Sequence, residues 1–141
     1  MPDKGLDRDG CSRGCAGSHE ARAGPRRPVR KTETGMDKKG KPFQIAILLY
    51  PGVTALDAVG PWEALSRIPD TEVRFVGKET GPVMTEGGVL LLGVTHTMTE
   101  TPSPDLVLIP GGTSTPSQMV DDGVLDWLRH VHKTSIWTAS V

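Results

Sequence analysis

Three short apolar runs, separated by stretches with helical spacing, constrain the fold more than any other feature of the sequence. The runs are QIAILLY at Gln44–Tyr50, DLVLIPGG at Asp105–Gly112 and SIWTASV at Ser135–Val141. Nearly continuous apolar runs of this length are typical of parallel strands that are covered on both faces. Because strands that alternate with helices form βαβ units, the sequence predicts an α/β domain with a mostly parallel sheet.

The first helical stretch, TALDAVGPWEALSRI, covers Thr54–Ile68. Gly60 and Pro61 interrupt it, and proline lacks the N–H that a helix needs, so we expect a kink or two joined helical pieces. Its apolar residues recur at three- and six-residue offsets, which is typical of a helix; they are Leu56, Val59, Leu65 and Ile68.

The second helical stretch, PSQMVDDGVLDWLRHVHK, covers Pro116–Lys133 and places one apolar face inward. Between the two helices, the alternation in Glu72–Gly77 predicts a strand, and Gly81–Gly93 predicts a hairpin that turns near Gly87 and Gly88. His96 falls in a polar stretch that we expect to be a loop. The predicted face of the second helix consists of Val120, Val124, Leu128 and Val131.

Charge divides the chain into two parts. Residues 1–41 contain 11 Lys and Arg against 6 Asp and Glu, whereas residues 42–141 contain 5 against 11. The first part is rich in Gly, Arg and Pro and has no aromatic residue, so we expect a disordered tail, with Met36 as an alternative start. Residues 42–141 form the predicted domain, and their acidity argues against a nucleic-acid surface there.

The two cysteines, Cys11 and Cys15, lie in the tail, with His19 four residues further on. This spacing hints at a metal clip, but a tetrahedral site needs a fourth ligand and a fold around it, so incidental cysteines are the preferred interpretation. We predict no metal and no cofactor. The sequence also lacks an apolar run that could cross a bilayer, and the absence of a disulfide framework favours a reducing, cytoplasmic compartment.

Asp57 is a candidate site residue, because in open parallel sheets ligands bind beyond the carboxyl ends of the strands. It follows the first strand, in the segment YPGVTALD. Thr54 and Asp57 also fit the T-x-x-D form of a capping box, which would give Asp57 a purely structural role. The alternative is a carboxyl group that exchanges a proton with a nearby nucleophile.

Gly111 and Gly112 are the second candidates, in the segment PGGTST at the end of the second apolar run. No Lys follows them and the G-x-x-x-x-G spacing is absent, which argues against a phosphate-binding loop. Consecutive glycines allow backbone N–H groups to face an incoming anion, as in an oxyanion hole. A tight turn that requires positive φ explains the same residues.

Three separated segments together resemble the ThiJ/PfpI family, within the class I glutamine amidotransferase-like superfamily. They are IAILLYPGVTALDAVGPWEAL, then GGVLLLGVTHTMTETPSPDLVLIPGG, then WTASV at the end of the chain. The resemblance runs from about Phe43 to Val141 and is greatest to the isonitrile hydratase-like branch. It implies a flavodoxin-like three-layer sandwich with a mostly parallel sheet, and a homodimer that acts on a small molecule.

The resemblance also implies roles for individual residues. Asp57 becomes the acid beside a strained cysteine, and the Gly111–Gly112 pair, Gly112 especially, supplies an oxyanion-hole N–H. In the family this cysteine follows the strand that corresponds to SIWTASV. We therefore expect the coding sequence beyond Val141 to continue with Cys and a Gly-containing elbow, and the chain as written to be truncated, inactive and poorly folded.

Two functions follow from the resemblance. The first is an isonitrile hydratase-like enzyme, which adds water to an isonitrile to give an N-substituted formamide. The alternative is the ligand-sensing amino-terminal module of an AraC-like transcription regulator, in which any contact with DNA would come from a further, basic region.

Overall fold

Residues 40–141 are described by the computed structural model. The predictions for the tail, including the alternative start at Met36 and the possible metal clip at Cys11, Cys15 and His19, lie outside the described residues.

The described residues form a five-stranded sheet, a separate two-stranded hairpin and three helices. The sheet order is β5-β2-β1-β6-β7, and every neighbouring pair is parallel, whereas β3 and β4 pair antiparallel. This confirms the predicted α/β class. The elements in chain order are β1 Phe43–Leu48, α1 Ala55–Leu65, β2 Thr71–Gly77, β3 Gly81–Met84, β4 Leu91–Val94, β5 His96–Thr97, β6 Leu106–Ile109, α2 Thr115–Gln118, α3 Asp122–Thr134 and β7 Trp137–Ser140.

The central strand β1 is the middle of the core. Its residues Ile45–Leu48 point alternately to opposite faces of the sheet, and each is at most 1% exposed, so both faces are covered. On the Leu48 face, Val124 and Leu128 of α3 border a cavity of about 80 Å³ together with Leu48. Burial on both faces explains why the sequence of β1 is continuously apolar rather than alternating.

The strand register brings three carboxyl ends to the same edge of the sheet. Ile45 of β1 lies opposite Leu106 of β6, and Leu106 lies opposite Trp137 of β7. Because all three strands run in the same direction, the segments that follow them emerge side by side. β7 is the edge strand of the described sheet, and its residues are exposed.

Helix α1 continues through Pro61 as a single α-helix, so of the two expectations that of two joined helical pieces is wrong. Proline removes one hydrogen bond, and its ring crowds the carbonyl four residues earlier, but the helix does not end there. Of the apolar residues with helical spacing, Leu56 is 74% exposed and Ile68 lies beyond the helix end, whereas Ala58 is the fully buried residue.

The second helical stretch is two helices rather than one. The chain leaves α2 at Met119, and Asp121 has extended backbone as the N-cap of α3, where its side chain accepts a hydrogen bond from Val124 N–H at 3.2 Å. An aspartate N-cap satisfies an otherwise unpaired N–H of the first turn. Val120 therefore falls between the helices and is 79% exposed, while Val124 and Val131 are buried as predicted.

The hairpin confirms the predicted turn. Met84 pairs with Leu91, and Gly88, at positive φ, donates its N–H to the Thr85 carbonyl at 3.0 Å. His96 departs from its prediction, because it lies in the short strand β5 rather than in a loop. Parallel pairing with Val76 at the sheet edge accounts for the difference, since no apolar pattern marks so short a strand.

Replacement of Ile47 by Val tests the central role of β1. The side chain is completely buried, so loss of one methylene should lower the free energy of unfolding by about 1 kcal/mol in urea denaturation. Val89→Ala is the control, because Val89 is 92% exposed, and it should change stability by less than about 0.5 kcal/mol. Equal effects of the two variants would contradict this description of the core.

The Asp121 carboxylate should make stability depend on pH. Its hydrogen bond from Lys78, and then that from the Val124 N–H, lower its pKa below the ordinary value. A lowered pKa stabilises the folded state above the unfolded-state pKa, and this contribution disappears as pH falls through the folded-state pKa. Between about pH 5 and pH 2, stability should therefore fall less in Asp121→Asn, which keeps a capping oxygen, than in the parent.

The control for this measurement is Asp122→Asn, which removes the same charge one residue further on. Urea denaturation at several pH values should show the parental acid dependence in Asp122→Asn. If Asp121→Asn kept that dependence in full, the Lys78–Asp121 pair would not be its source.

Candidate active site

The candidate site lies where β1, β6 and β7 end. β1 leads through Tyr50 into α1, β6 leads into Gly111 and Gly112, and β7 leads to Val141. Val141 donates its N–H to the Ile109 carbonyl at 3.2 Å, which continues the β6–β7 ladder by one residue. The Val141 carbonyl oxygen is 3.4 Å from the position that a Cβ on Gly111 would occupy. All three carboxyl ends therefore meet at one place.

Asp57 and Gly111, both predicted from the sequence, are in direct contact. The Gly111 N–H donates to Asp57 Oδ2 at 3.2 Å, across 54 residues of sequence. Asp57 lies in the first turn of α1 and is partly buried, so the helix start fixes the position of its carboxylate against the turn after β6. The sheet edge thus presents a carboxyl group with one fixed backbone donor.

The capping-box interpretation of Thr54 and Asp57 is wrong. Thr54 is the N-cap residue, but its side chain makes no capping hydrogen bond, and its backbone N–H donates to the Gly111 carbonyl at 2.9 Å instead of to Asp57. A capping box would need that N–H for the acid three residues later. Instead, the Thr54 N–H and the Asp57 carboxylate both form hydrogen bonds with Gly111, in the turn after β6. The Asp57 carboxylate therefore binds this turn and does not cap its own helix.

The same contact orients the N–H of Gly112. Gly111 C=O and Gly112 N–H belong to one planar trans peptide, so they point in opposite directions. Since Thr54 holds the Gly111 carbonyl, the Gly112 N–H faces away from α1, and it makes no hydrogen bond with residues 40–141. An N–H group that is fixed in direction and unpaired is what an oxyanion hole requires.

Glycine is required at position 112 because another backbone segment passes close by. A Cβ on Gly112 would lie 2.3 Å from the Gly52 carbonyl oxygen and 2.8 Å from Val53 Cα, and Val53 forms an antiparallel bridge with Gly112. The alternative prediction, a tight turn with positive φ, is wrong for both glycines, because neither is among the described residues with positive φ.

Sequence reasoning missed the residues that hold the β1–α1 loop against this turn. Gly52 has a φ of +80°, and a Cβ there would lie 2.7 Å from Ser114 Oγ. The Ser114 hydroxyl donates to the Pro51 carbonyl. The dipeptide Pro51-Gly52 signals a turn in the sequence, but nothing in the sequence indicates that Ser114, 63 residues away, lies against it.

The described residues offer neither a metal-binding cluster nor a membrane-spanning helix. Within residues 40–141, no group of three or more His, Cys, Asp or Glu side chains is placed to hold a metal ion. The same residues contain no helix with the length and apolar character needed to cross a membrane.

Comparison with known proteins identifies the family. The model of the DJ-1/PfpI family matches residues 43–141, which include every element from β1 to β7. The chain belongs to the DJ-1/PfpI family. This confirms the resemblance to ThiJ/PfpI proteins and the flavodoxin-like fold that it implied.

Two relatives are similar in sequence over much of this chain. Isonitrile hydratase from Pseudomonas putida is 36% identical over 99 residues, which are 70% of this chain and 43% of the relative. The crystal structure of a ThiJ/PfpI family protein from Pseudomonas syringae matches with a TM-score of 0.65 and 27% identity, over 80% of this chain and 49% of that one. The chain therefore spans less than half the length of these DJ-1/PfpI relatives.

More distant structures share the fold alone. A DJ-1 superfamily protein from Salmonella typhimurium matches with a TM-score of 0.59 at 21% identity, over 68% of this chain and 54% of that one. A candidate transcriptional regulator from Vibrio parahaemolyticus matches with a TM-score of 0.56 at 18% identity, over 70% of this chain and 56% of that one. At such identities, the likeness does not favour a regulatory role over an enzymatic one.

Replacement of Gly112 by Ala tests the close approach of the two loops. The added Cβ would overlap the Gly52 carbonyl, so the variant should lose about 2 kcal/mol of unfolding free energy in thermal or urea denaturation. Gly93→Ala is the matched control, because a Cβ there meets no atom within 4 Å, and it should change stability by less than about 0.5 kcal/mol. A Gly112→Ala variant as stable as Gly93→Ala would show that the loops are not in contact.

Proposed function

We propose that this chain carries the acid and oxyanion half of an isonitrile hydratase-type active site. The observation that supports the proposal most directly is the hydrogen bond from Gly111 N–H to Asp57, beside the N–H of Gly112, which has no hydrogen-bond partner among residues 40–141. The relative that is 36% identical over 99 residues is named an isonitrile hydratase, which supplies the reaction class.

The reaction adds one molecule of water to R–N≡C and gives R–NH–CHO, without an oxidant or reductant. A thiol adds to the isonitrile carbon, so that an S–C bond forms and a proton is delivered to the same carbon, which gives a thioimidate. Water then attacks this carbon and one of its protons passes to the nitrogen; the S–C bond breaks, and the sulfur takes the other proton as the formamide leaves. The thiol is the group that the family resemblance implies after β7, beside Val141.

Asp57 would move the protons in both steps. Its carboxyl group lies at the edge where β7 ends, since Asp57 Oδ2 and the Val141 carbonyl oxygen are both within 3.4 Å of the position of a Cβ on Gly111. A carboxylic acid at this place can donate to the isonitrile carbon and, as a carboxylate, accept a proton from the attacking water. Its hydrogen bond from Gly111 holds the carboxylate in position between the two steps.

Gly112 would stabilise the charge that develops when water adds. The oxygen that joins the carbon carries negative charge in the transition state, and a preoriented backbone N–H lowers the energy of that charge. The Thr54–Gly111 hydrogen bond fixes the direction of this N–H before any substrate binds. No rearrangement of the turn is then needed during the reaction.

A chimera tests this assignment, because it supplies the part of the relative that this chain does not match. In it, the carboxyl-terminal part of the Pseudomonas putida isonitrile hydratase follows Val141. It should convert a simple isonitrile to the formamide, followed by NMR. Asp57→Asn should lower the rate by about 10²- to 10⁴-fold, because general acid–base catalysis contributes a factor of that order.

Glu63→Gln is the matched control, on the exposed side of the same helix α1, and it should leave the rate unchanged. Circular dichroism of each chimera establishes that it is folded. A folded chimera without isonitrile hydration, or an Asp57→Asn chimera as active as the parent, would contradict the proposed function.

The homodimer and the cytoplasmic location stay predictions. The first rests on the family resemblance alone, and the second on the cysteine content of the sequence.

A further inference from the structure

Tyr50 is the only tyrosine of the chain, and it lies between β1 and α1, beside the candidate site. It is 4% exposed, and its hydroxyl donates to the Pro110 carbonyl at 2.6 Å. The same hydroxyl is 3.0 Å from Thr115 Oγ1, which in turn lies 2.8 Å from the Gly112 carbonyl. Two side-chain hydroxyls thus reach the carbonyl groups on either side of Gly111.

These contacts need three hydrogens, but two hydroxyls supply only two. The Pro110 carbonyl decides how they are used, because Pro110 is fully buried and Tyr50 is its hydrogen-bond donor. A buried carbonyl left without a donor is costly. The Gly112 carbonyl accepts from the Thr115 hydroxyl and also from the Thr115 N–H at 3.1 Å, so it keeps one donor when the hydroxyl donates to Tyr50 instead. The Tyr50 hydroxyl therefore donates its hydrogen bond to the Pro110 carbonyl.

Tyr50 and Asp57 hold the same peptide unit from its two ends. The Pro110 carbonyl and the Gly111 N–H belong to one planar trans peptide and point in opposite directions. Tyr50 binds the carbonyl end and Asp57 binds the N–H end. With both ends bound, this peptide cannot rotate without breaking one of the two hydrogen bonds.

We propose that Tyr50 is a positioning residue for the candidate site: its hydroxyl, supported by Thr115, fixes the Pro110–Gly111 peptide and thereby keeps the Gly111 N–H on the Asp57 carboxylate. The arrangement of the turn depends on it whatever the substrate is. Its effect on catalysis rests on the proposed function.

The first test uses the chimera described above, whose fold circular dichroism establishes, and needs no substrate. In Tyr50→Phe, the Gly111 amide proton should shift upfield in ¹H–¹⁵N spectra and exchange with solvent about five- to tenfold faster, which corresponds to the loss of one hydrogen bond. The amide protons of Ile47 and Val107 in the sheet should exchange as in the parent. That selectivity separates positioning from a general loss of stability.

A second pair of variants tests the support from Thr115. Thr115→Val removes the hydroxyl while keeping the shape of the side chain. It should shift the amide proton signals of Gly111 and Gly112 upfield, as Tyr50→Phe does for Gly111. Thr115→Ser keeps the hydroxyl and should restore them. Thr113→Val, an exposed change in the same turn, is the control and should leave both glycine signals in place.

The catalytic consequence is tested in the chimera that ends with the Pseudomonas putida segment. Tyr50→Phe should lower kcat about tenfold and leave KM unchanged, because Tyr50 orients the acid and does not touch the substrate. Unchanged Gly111 signals in Tyr50→Phe, or changes as large in the sheet as at Gly111, would overturn the proposal, and so would an unchanged kcat. If every chimera were folded but inactive, the proposed function would fail, while the amide measurements would still decide the role of Tyr50.

Discussion

Two hydrogen bonds between the start of α1 and the turn after β6 are the constraint on which the candidate site depends. Thr54 N–H holds the Gly111 carbonyl, and Asp57 holds the Gly111 N–H. In a capping box, the Thr54 N–H and the Asp57 carboxylate would bind each other, but here both bind Gly111. Because both bonds converge on one glycine, the carboxylate and the N–H of Gly112 are held in fixed positions relative to each other.

The central strand makes this convergence possible. β1 is buried on both faces and pairs with β2 on one side and β6 on the other, so the segments that follow β1 and β6 must emerge together. The β1–α1 loop then approaches the turn after β6 so closely that only glycine fits at position 112. Rigid strands set the distance between the loops, and the loops supply the chemistry.

Much of the fold could be predicted from the sequence. The continuous apolar runs of β1 and β6 identify buried parallel strands, and Gly87-Gly88 identifies the hairpin turn. The details of the helices could not, because exposure and helix ends depend on what packs against them. Leu56 has helical spacing but is exposed, and Asp121 lies inside the predicted second helix but is the N-cap of α3.

The candidate site could also be predicted only in part. Asp57, Gly111 and Gly112 could be selected from the sequence, because the rule that sites follow the carboxyl ends of parallel strands depends only on element order. Their partners could not be selected, since Tyr50 and Thr115, like Pro51 and Ser114, are separated by more than 60 residues. No local pattern encodes contacts across such a distance.

By itself, the sequence determined the α/β class, the order of the strands along the chain and the residues that can carry chemistry, because apolar periodicity and residue type are local properties. Only the tertiary structure decided that Asp57 binds the turn after β6 rather than capping its own helix. The local capping box and the distant Gly111 peptide compete for the same groups, and the packing of α1 against the sheet brings that peptide within hydrogen-bonding distance.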